Sequence, residues 1–184
     1  ALRGFSLTVD YFNIRLKDAI STIARNESIK QCLLLSDDTY CDNVVRSNTT
    51  GYISRVDAQL VNIATIRTSG IDVGVNYSTP LNLWGDDSLQ LRANYTYLID
   101  YKVQDNPAAA VRDFAGTVGQ SEHRASTRAT YLKGPLSFSW QINYLSKAVA
   151  DLDFIGSQTQ LPGGSGTLGE LNQVGDRWYH DIQL

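Results

Sequence analysis

The chain has 184 residues, is 42% hydrophobic and carries a formal net charge of −3, so its size and composition fit one domain or a poorly divided pair. Its Lys and Arg residues are scattered and give no basic stripe for a phosphate backbone, which excludes nucleic acid as an expected partner. No apolar run approaches the roughly 18 residues of a membrane-spanning helix, so the chain could cross a bilayer only as strands.

The first predicted strand begins at Phe5, where apolar and polar residues alternate through Tyr11, and it continues to Leu16. Residues 18–35 then change to a helical spacing of apolar residues, with Asn26 as a plausible N-cap. We therefore expect an inserted helical loop after the first strand.

Two cysteines, Cys32 and Cys41, flank a short polar segment in this loop. Such a pair suits a disulfide formed in an oxidising compartment, and the alternative is two buried free thiols. A zinc site is disfavoured because no histidine or further cysteine lies nearby. A bond closing so small a loop stabilises by roughly 2–3 kcal/mol at most.

The clearest strand pattern lies in residues 62–77, after a short polar strand predicted within residues 51–60. From Gly70 the alternation is strict, with Ile71, Val73, Val75 and Tyr77 on one face and Asp72, Gly74 and Asn76 on the other. One apolar and one polar face satisfy both a soluble sandwich and a membrane barrel, so this stretch alone leaves the two open.

Residues 89–97 alternate again after a turn at residues 78–87, and this strand helps to separate the two folds. In a sandwich Arg92 is a solvated surface residue, whereas in a lipid-embedded barrel it faces a watery lumen. Tyr77 with Trp84, and Tyr95 with Tyr97, fall at the separation that a membrane-spanning strand covers. This spacing favours the barrel.

The remaining strands give an uneven pattern of connections. Alternating runs at residues 124–131 and 136–144 flank a turn at Lys133 and Gly134, and a last run ends at Leu184, for about six or seven strands in all. Short connections at 78–87 and 133–134 alternate with long ones at 17–50, 101–122 and 146–175. Because antiparallel strands reverse direction each time, the long loops emerge at one end, as in outer-membrane barrels.

Two strand registers follow from these patterns. A two-residue turn at Lys133 and Gly134 pairs Tyr131 with Leu136, Ala129 with Phe138 and Thr127 with Trp140. Parity further allows Val75 to face Leu91, Val73 to face Ala93 and Ile71 to face Tyr95. That second register leaves Gly74 opposite Arg92, where the absent side chain makes room for the guanidinium.

Four segments together resemble a known family: residues 10–20 (DYFNIRLKDAI), the loop between Cys32 and Cys41, Asn62 followed by residues 68–72 (TSGID), and residues 178–184 (WYHDIQL). They are similar to the late barrel region of TonB-dependent outer-membrane receptors. The resemblance implies an all-β fold, an antiparallel transmembrane β-barrel segment with long extracellular loops, in a plugged barrel of about 22 strands. Residues 1–184 are then expected to be a partial barrel domain, incomplete at both ends and without a plug domain.

The resemblance also implies a function and partners. Such a receptor imports a scarce, bulky nutrient such as a ferric siderophore, cobalamin or an oligosaccharide, with energy from the inner membrane through TonB. Its partners are outer-membrane lipid, the plug domain of the same receptor, TonB and the nutrient ligand, in the outer membrane of a Gram-negative bacterium. A passive porin-type barrel and a soluble β-sandwich binding module remain as alternatives.

No catalytic constellation, metal site or cofactor site is predicted. The two histidines, His123 and His180, lie beside strand patterns, where a rim or interface role is expected. The candidate functional surface is the polar strand face, where the resemblance implies that the side chains point into the lumen. These lumen-facing candidates are Asp72, Gln90, Arg92, Asn94, Arg128, Gln141 and Asn143, and we expect them to contact the plug, water or the passing ligand.

Overall fold

The computed structural model describes residues 3–36, 38–58, 60–107 and 109–184. The strands are, in chain order, β1 (Phe5–Thr22), β2 (Val44–Arg46), β3 (Ile53–Val56), β4 (Leu60–Pro80), β5 (Asp87–Gln104), β6 (Arg112–Asp113), β7 (His123–Lys133), β8 (Leu136–Leu145), β9 (Ala148–Val149), β10 (Gln173–Val174) and β11 (Arg177–Gln183). The helices are α1 (Arg25–Leu35), α2 (Asp38–Cys41) and α3 (Leu168–Leu171), with a 3-10 turn at Leu152–Phe154. None of these helices is long and apolar enough to cross a membrane.

A single large sheet contains the long strands. Seven strands belong to it, hydrogen-bonded in the order β1, β4, β5, β7, β8, β11, with β6 also paired to β5. The pairs β5 with β7, β7 with β8, and β8 with β11 are antiparallel. The predicted antiparallel all-β architecture is confirmed, and within the described ranges the sheet stays open between β1 and β11.

The turn between β7 and β8 lies one residue later than predicted. Lys133 pairs with Leu136, so the two-residue loop is Gly134 and Pro135. Gly134 has a positive φ of 55°, and proline holds φ near −65°, which suits a type II′ hairpin turn. In the predicted turn, Lys133 would occupy the first loop position and would need this positive φ, which is strained for lysine. With Gly134 in that position the strain is avoided, and this explains why the turn lies one residue later.

The register of this hairpin is therefore shifted by two residues, and the predicted partners are wrong. Tyr131 pairs with Phe138 instead of Leu136, Ala129 with Trp140, and Thr127 with Ile142. Because side chains alternate with a period of two, the shift leaves every residue on the face that its parity assigned to it.

The chain divides into two compact units. The first unit comprises Ala1–Ile14, Thr68–Tyr101 and Phe114–Leu184, and the second comprises Arg15–Arg67 and Lys102–Asp113. The first unit contains most of the paired length of the large sheet. The second contains α1, α2 and a small antiparallel sheet of β2 and β3.

In the second unit, the predicted helical loop after the first strand is present as α1, but it begins later than residue 18, because β1 continues to Thr22. Asp18 adopts a positive φ of 56°, a conformation that aspartate tolerates better than most residues, and it breaks the alternation there. The long loop predicted at residues 101–122 also starts too early, because β5 continues to Gln104. In this unit, Lys102 and Val103 of β5 pair with Asp113 and Arg112 of β6.

The helix α1 starts at Arg25 with Ala24 as its N-cap, so the predicted N-cap Asn26 is wrong. The Asn26 side chain accepts a hydrogen bond from the backbone N–H of Glu27 at 2.9 Å, inside the first turn. The helix packs against β2 and β3, and among the described residues of this unit Ile23 and Tyr40 are apolar, buried and outside the strands. The insertion therefore has its own small core.

The long connection between β8 and β11, in the first unit, is structured by polar contacts. Asn172 donates from its side-chain nitrogen to the Asp151 carbonyl at 2.7 Å and accepts from the Asp151 N–H at 2.8 Å. Thr167 and Glu170 form a capping box at the start of α3. These hydrogen bonds hold both ends of the connection that contains the glycine-rich segment at residues 162–166.

Candidate functional site

Two faces of the first unit's sheet follow directly from the strand register. Residues that are direct Cα partners in an antiparallel pair project to the same face. One row across four strands is apolar, formed by Leu91, Ala129, Trp140 and Ile182. The next row, on the opposite face, is polar and consists of Arg92, Arg128, Gln141 and Asp181. We call these surfaces the apolar face and the polar face.

Arg92 lies in the middle of β5 and is exposed on the polar face. Its Nε donates a hydrogen bond to Asn76 Oδ1 on the neighbouring strand β4, at 3.0 Å. On its other side its Cα partner is Arg128, so two arginines stand directly opposite each other. Their side chains bond outward, each to an amide on the strand away from the other.

Arg128 begins a hydrogen-bonded chain that crosses β7, β8 and β11. Its Nε donates to Gln141 Oε1 at 2.9 Å, and its Nη2 donates to the same oxygen. Gln141 Nε2 donates in turn to Asn143 Oδ1 at 3.0 Å, and Asn143 Nδ2 donates to Asp181 Oδ2 at 3.2 Å. Three of the candidates are thus linked to the last strand.

Asp72 and Asn94 lie on the polar face at the junction of β4 and β5. The Asp72 carboxylate accepts a hydrogen bond of 2.6 Å from Thr96 Oγ1. A Cβ built on Gly74 would meet only Thr8 Oγ1, at 2.6 Å, and Asn94 Oδ1, at 3.8 Å. The prediction that Gly74 makes room for Arg92 is therefore wrong, and the side-chain contacts lie two residues from the predicted register.

A groove of ≈ 650 Å³ runs over this polar face. It is lined mainly by polar side chains of four strands, among them Gln90, Arg92, Asn94, Ser126, Arg128 and Gln141. Five of the seven polar candidates border this groove, while Asp72 and Asn143 lie on the same face next to it. The arrangement offers guanidinium and amide donors together with hydroxyl groups, which are ligands for polar or anionic groups.

Gly70 permits a close approach between strands on the same face. A Cβ at this position would lie 2.5 Å from Phe12 Cζ and 2.5 Å from the Tyr97 carbonyl oxygen. Real side chains do not come so near, so only glycine fits without a shift of the backbone. This is a physical reason for glycine within the TSGID segment.

The apolar face leaves large side chains uncovered. Val9 is 62% exposed, Trp140 is 43% exposed and Ile182 is 70% exposed, although each belongs to a strand of the large sheet. A soluble sandwich covers such a face with a second sheet, and among the described residues no second layer covers it. The exposed apolar face therefore favours the barrel interpretation over the sandwich.

Aromatic rings cluster on the apolar face near the long connections. Tyr97 and His123 are stacked with ring centroids 4.9 Å apart, and the Tyr95 hydroxyl shares a hydrogen bond of 2.7 Å with His123 Nδ1. Tyr144 packs on Trp178 at 4.5 Å. Such rings, with an apolar body and a polar tip, are typical of a membrane interface.

At the other end of the sheet, where β5 begins and β7 ends, one buried carboxylate holds the connection before β5 in place. Asp87 accepts from the Leu83 N–H at 2.9 Å and from the Tyr131 hydroxyl at 3.0 Å, which fixes the short connection at 81–86. Nearby, the Lys133 ammonium lies 5.9 Å from the ring centroid of the exposed Trp84. This short connection therefore has a defined structure.

The predicted disulfide is present in the structure. Cys32 and Cys41 are bonded across nine residues, with their Cα atoms 4.8 Å apart, joining α1 to α2. The bond lies wholly within the second unit. In the ranges that the structure covers, no group of three or more His, Cys, Asp or Glu residues is arranged to hold a metal ion.

Sequence patterns missed two members of the polar network. Asn76 binds Arg92, and Asp181 accepts from Asn143, yet neither was among the predicted site residues. Asn76 shares the parity of the candidate Asp72 on β4, and Asp181 is the Cα partner of the candidate Gln141. The alternation had already placed Asn76 on the polar face of β4, and extending it along β11 would have placed Asp181 there as well.

Comparisons with known proteins were made for the whole chain. Searches among curated proteins and among solved structures gave no match. A family model described as "TonB dependent receptor-like, beta-barrel" matches residues 2–184. The open antiparallel sheet with one polar and one exposed apolar face agrees with part of such a barrel. The chain belongs to the β-barrel domain family of TonB-dependent receptors, which are outer-membrane receptors and transporters of Gram-negative bacteria.

Proposed function

We propose that this chain is part of an active-transport receptor that binds a scarce, bulky nutrient outside the cell and imports it with energy delivered through TonB. Residues 1–184 form a portion of its barrel, and the plug domain belongs to the same receptor. The nutrient is a ferric siderophore, cobalamin or an oligosaccharide. Family membership over residues 2–184 is the observation that carries this proposal.

The orientation of the sheet follows from the same proposal. The apolar face, with its exposed Val9, Trp140 and Ile182, faces lipid. The polar face, with Asp72, Gln90, Arg92, Asn94, Arg128, Gln141 and Asn143, faces the lumen and contacts the plug or the passing ligand. A lipid-facing sheet must close to leave no unpaired edge in hydrocarbon, so β1 and β11 pair with further strands of the full receptor.

An uptake experiment in whole cells tests the transport function. Cells with and without the full-length receptor are given a labelled ferric siderophore, cobalamin or a maltodextrin at a concentration too low for porin diffusion. We expect one compound to accumulate only in cells that contain the receptor, and accumulation to stop when a protonophore is added or the energy-coupling protein is deleted. Uptake that equilibrates without accumulation and survives both treatments would indicate a passive porin instead.

Accessibility of neighbouring positions tests the orientation. In the full-length receptor in bilayers, spin labels are placed on Leu91 and, separately, on Arg92, which lie on opposite faces of β5. We expect the Leu91 label to be relaxed by oxygen dissolved in lipid and the Arg92 label by a water-soluble relaxation agent. A Leu91 label that is more accessible from water than the Arg92 label contradicts the membrane orientation.

A further inference from the structure

The polar face contains two arginines at directly opposed positions of neighbouring strands. Arg92 and Arg128 are Cα partners on β5 and β7, and direct partners have Cβ atoms only about 4.5–5.5 Å apart. Like charges in this arrangement destabilise a strand pair. The pairing needs a compensating negative group, or it costs the receptor stability.

No carboxylate supplies that compensation among the described residues. Arg92 bonds to the neutral amide oxygen of Asn76, and Arg128 bonds to the neutral amide oxygen of Gln141. The nearest acid in the same row, Asp181, is the Cα partner of Gln141 and accepts from Asn143. Asp72 accepts from Thr96, which lies four residues along β5 from Arg92.

Both guanidiniums retain donors toward the groove. Arg92 uses only Nε, so its terminal nitrogens have no partner among the described residues, and the same holds for Nη1 of Arg128. Both side chains line the ≈ 650 Å³ groove, flanked by the partner pairs Asn94 with Ser126 and Gln90 with Thr130. Those neutral neighbours can donate to an oxyanion without repelling it.

We propose that Arg92 and Arg128 together bind one oxyanion, a carboxylate or a phosphate-like group, between their guanidiniums. Arginine presents a planar fork that fits these groups in a bidentate manner, so one anion between two forks converts the repulsion into charge-assisted hydrogen bonds. The inference rests on the proposal that the polar face lines the lumen. The oxyanion belongs either to an acidic side chain of the plug domain or to an anionic nutrient ligand in the lumen.

The test uses the purified full-length receptor in detergent at constant ionic strength, with inorganic phosphate as the probe. Phosphate binding is measured by equilibrium dialysis, and thermal unfolding midpoints are recorded for the wild type, Arg92→Gln and Arg128→Gln. Arg124→Gln is the matched control, because Arg124 lies on the same strand and face but is partnered by Thr96 and Leu145 instead of an arginine. Arg92→Lys retains the charge and removes the fork, which covers the case of a glutamine variant that fails to fold.

Two results support the site and identify the source of the anion. If a free ligand supplies it, the wild type binds phosphate and either glutamine variant weakens binding by about tenfold or more, with Arg92→Lys intermediate and Arg124→Gln unchanged. If the plug supplies it, the wild type does not bind phosphate, and both arginine variants lower the unfolding midpoint more than Arg124→Gln does.

Other results overturn the site. Variants that match Arg124→Gln in both measurements show that no anion is held there. In a further case, the wild type does not bind phosphate and the unfolding midpoint rises when either arginine is replaced. That result shows that the two arginines repel each other without a compensating anion. Neither readout involves transport, so a failure of the uptake experiment leaves this test intact, and the reverse also holds.

Discussion

The polar and apolar faces of the sheet are formed by the same strands in the same register, yet they are stabilised in different ways. On the polar face, side chains of adjacent strands bond to each other, as in the chain from Arg128 through Gln141 to Asn143. On the apolar face, Trp140 and Ile182 are Cα partners and both remain largely exposed. The side chains of the polar face thus find many of their hydrogen-bond partners within the protein, whereas the side chains of the apolar face depend on the surrounding medium for their contacts.

This difference makes the two faces respond oppositely to the same substitution. A charged or polar side chain placed on the apolar face loses hydration in lipid and finds no partner there. An apolar side chain placed on the polar face removes a hydrogen bond that links two strands. Matched pairs of variants, one from each face, can therefore test the comparison.

The largest effect is expected for an arginine introduced into the apolar face. Val9→Arg in β1 should destabilise the full-length receptor by about 2–4 kcal/mol, because the guanidinium would be placed in hydrocarbon. The control Ser6→Arg lies on the polar face of the same strand, where Ser6 accepts a bond of 3.5 Å from Asn76, and should change stability by less than about 0.5 kcal/mol. Urea unfolding in lipid vesicles measures both, and equal losses would show that the two faces do not differ in environment.

An intermediate effect is expected where the polar face is closely packed. Gly70→Ala should destabilise by about 1–3 kcal/mol, since its Cβ would overlap the Tyr97 carbonyl oxygen and the Phe12 ring. In the control Gly175→Ala, the nearest atom is Arg177 Nη1 at 3.6 Å, so stability should be unchanged or slightly raised. The same unfolding experiment applies, and a neutral Gly70→Ala would mean that the strands can separate locally without cost.

The smallest effect is expected for the removal of one hydroxyl from each face of β7. Thr130 shares a hydrogen bond of 2.9 Å with Ser139 on the polar face, so Thr130→Val should cost about 1 kcal/mol. Thr127 lies on the apolar face opposite Ile142, and Thr127→Val should be neutral or stabilising in lipid. Urea unfolding measures the change in free energy for each variant. If Thr127→Val destabilised the receptor more than Thr130→Val, the assignment of the two faces would be reversed.

Strand parity was predictable because it is a local property. Apolar and polar residues alternate with the period of the strand itself, so Arg92 and Leu91 are assigned to opposite faces without knowledge of their partners. The spacing of Cys32 and Cys41 in a polar loop likewise indicated a bond between them, which the structure contains. Residues 68–72 and the other family-like segments indicated the receptor family, and the family model confirms it.

Pairing partners were not predictable to the residue, because they depend on atoms that are distant in sequence. A shift of two residues keeps every face intact, so the alternation could not distinguish Ala129 opposite Phe138 from Ala129 opposite Trp140. The positive φ of Gly134 and the fixed φ of Pro135 decided the turn. Similarly, β1 continued to Thr22, past the start of the predicted helical spacing, in a sheet where β4 is its neighbour.

The amino-acid sequence by itself determined the type of fold, the side of the sheet on which the residues of the alternating runs lie, the disulfide pair and the family. Only the tertiary structure decided that Arg92 stands opposite Arg128 and that each bonds outward to an amide, to Asn76 and to Gln141. The physical reason is the distance along the chain over which each property is set. Periodicity follows from the geometry of one strand, whereas register is set by turns, close approaches such as that at Gly70, and hydrogen bonds between strands.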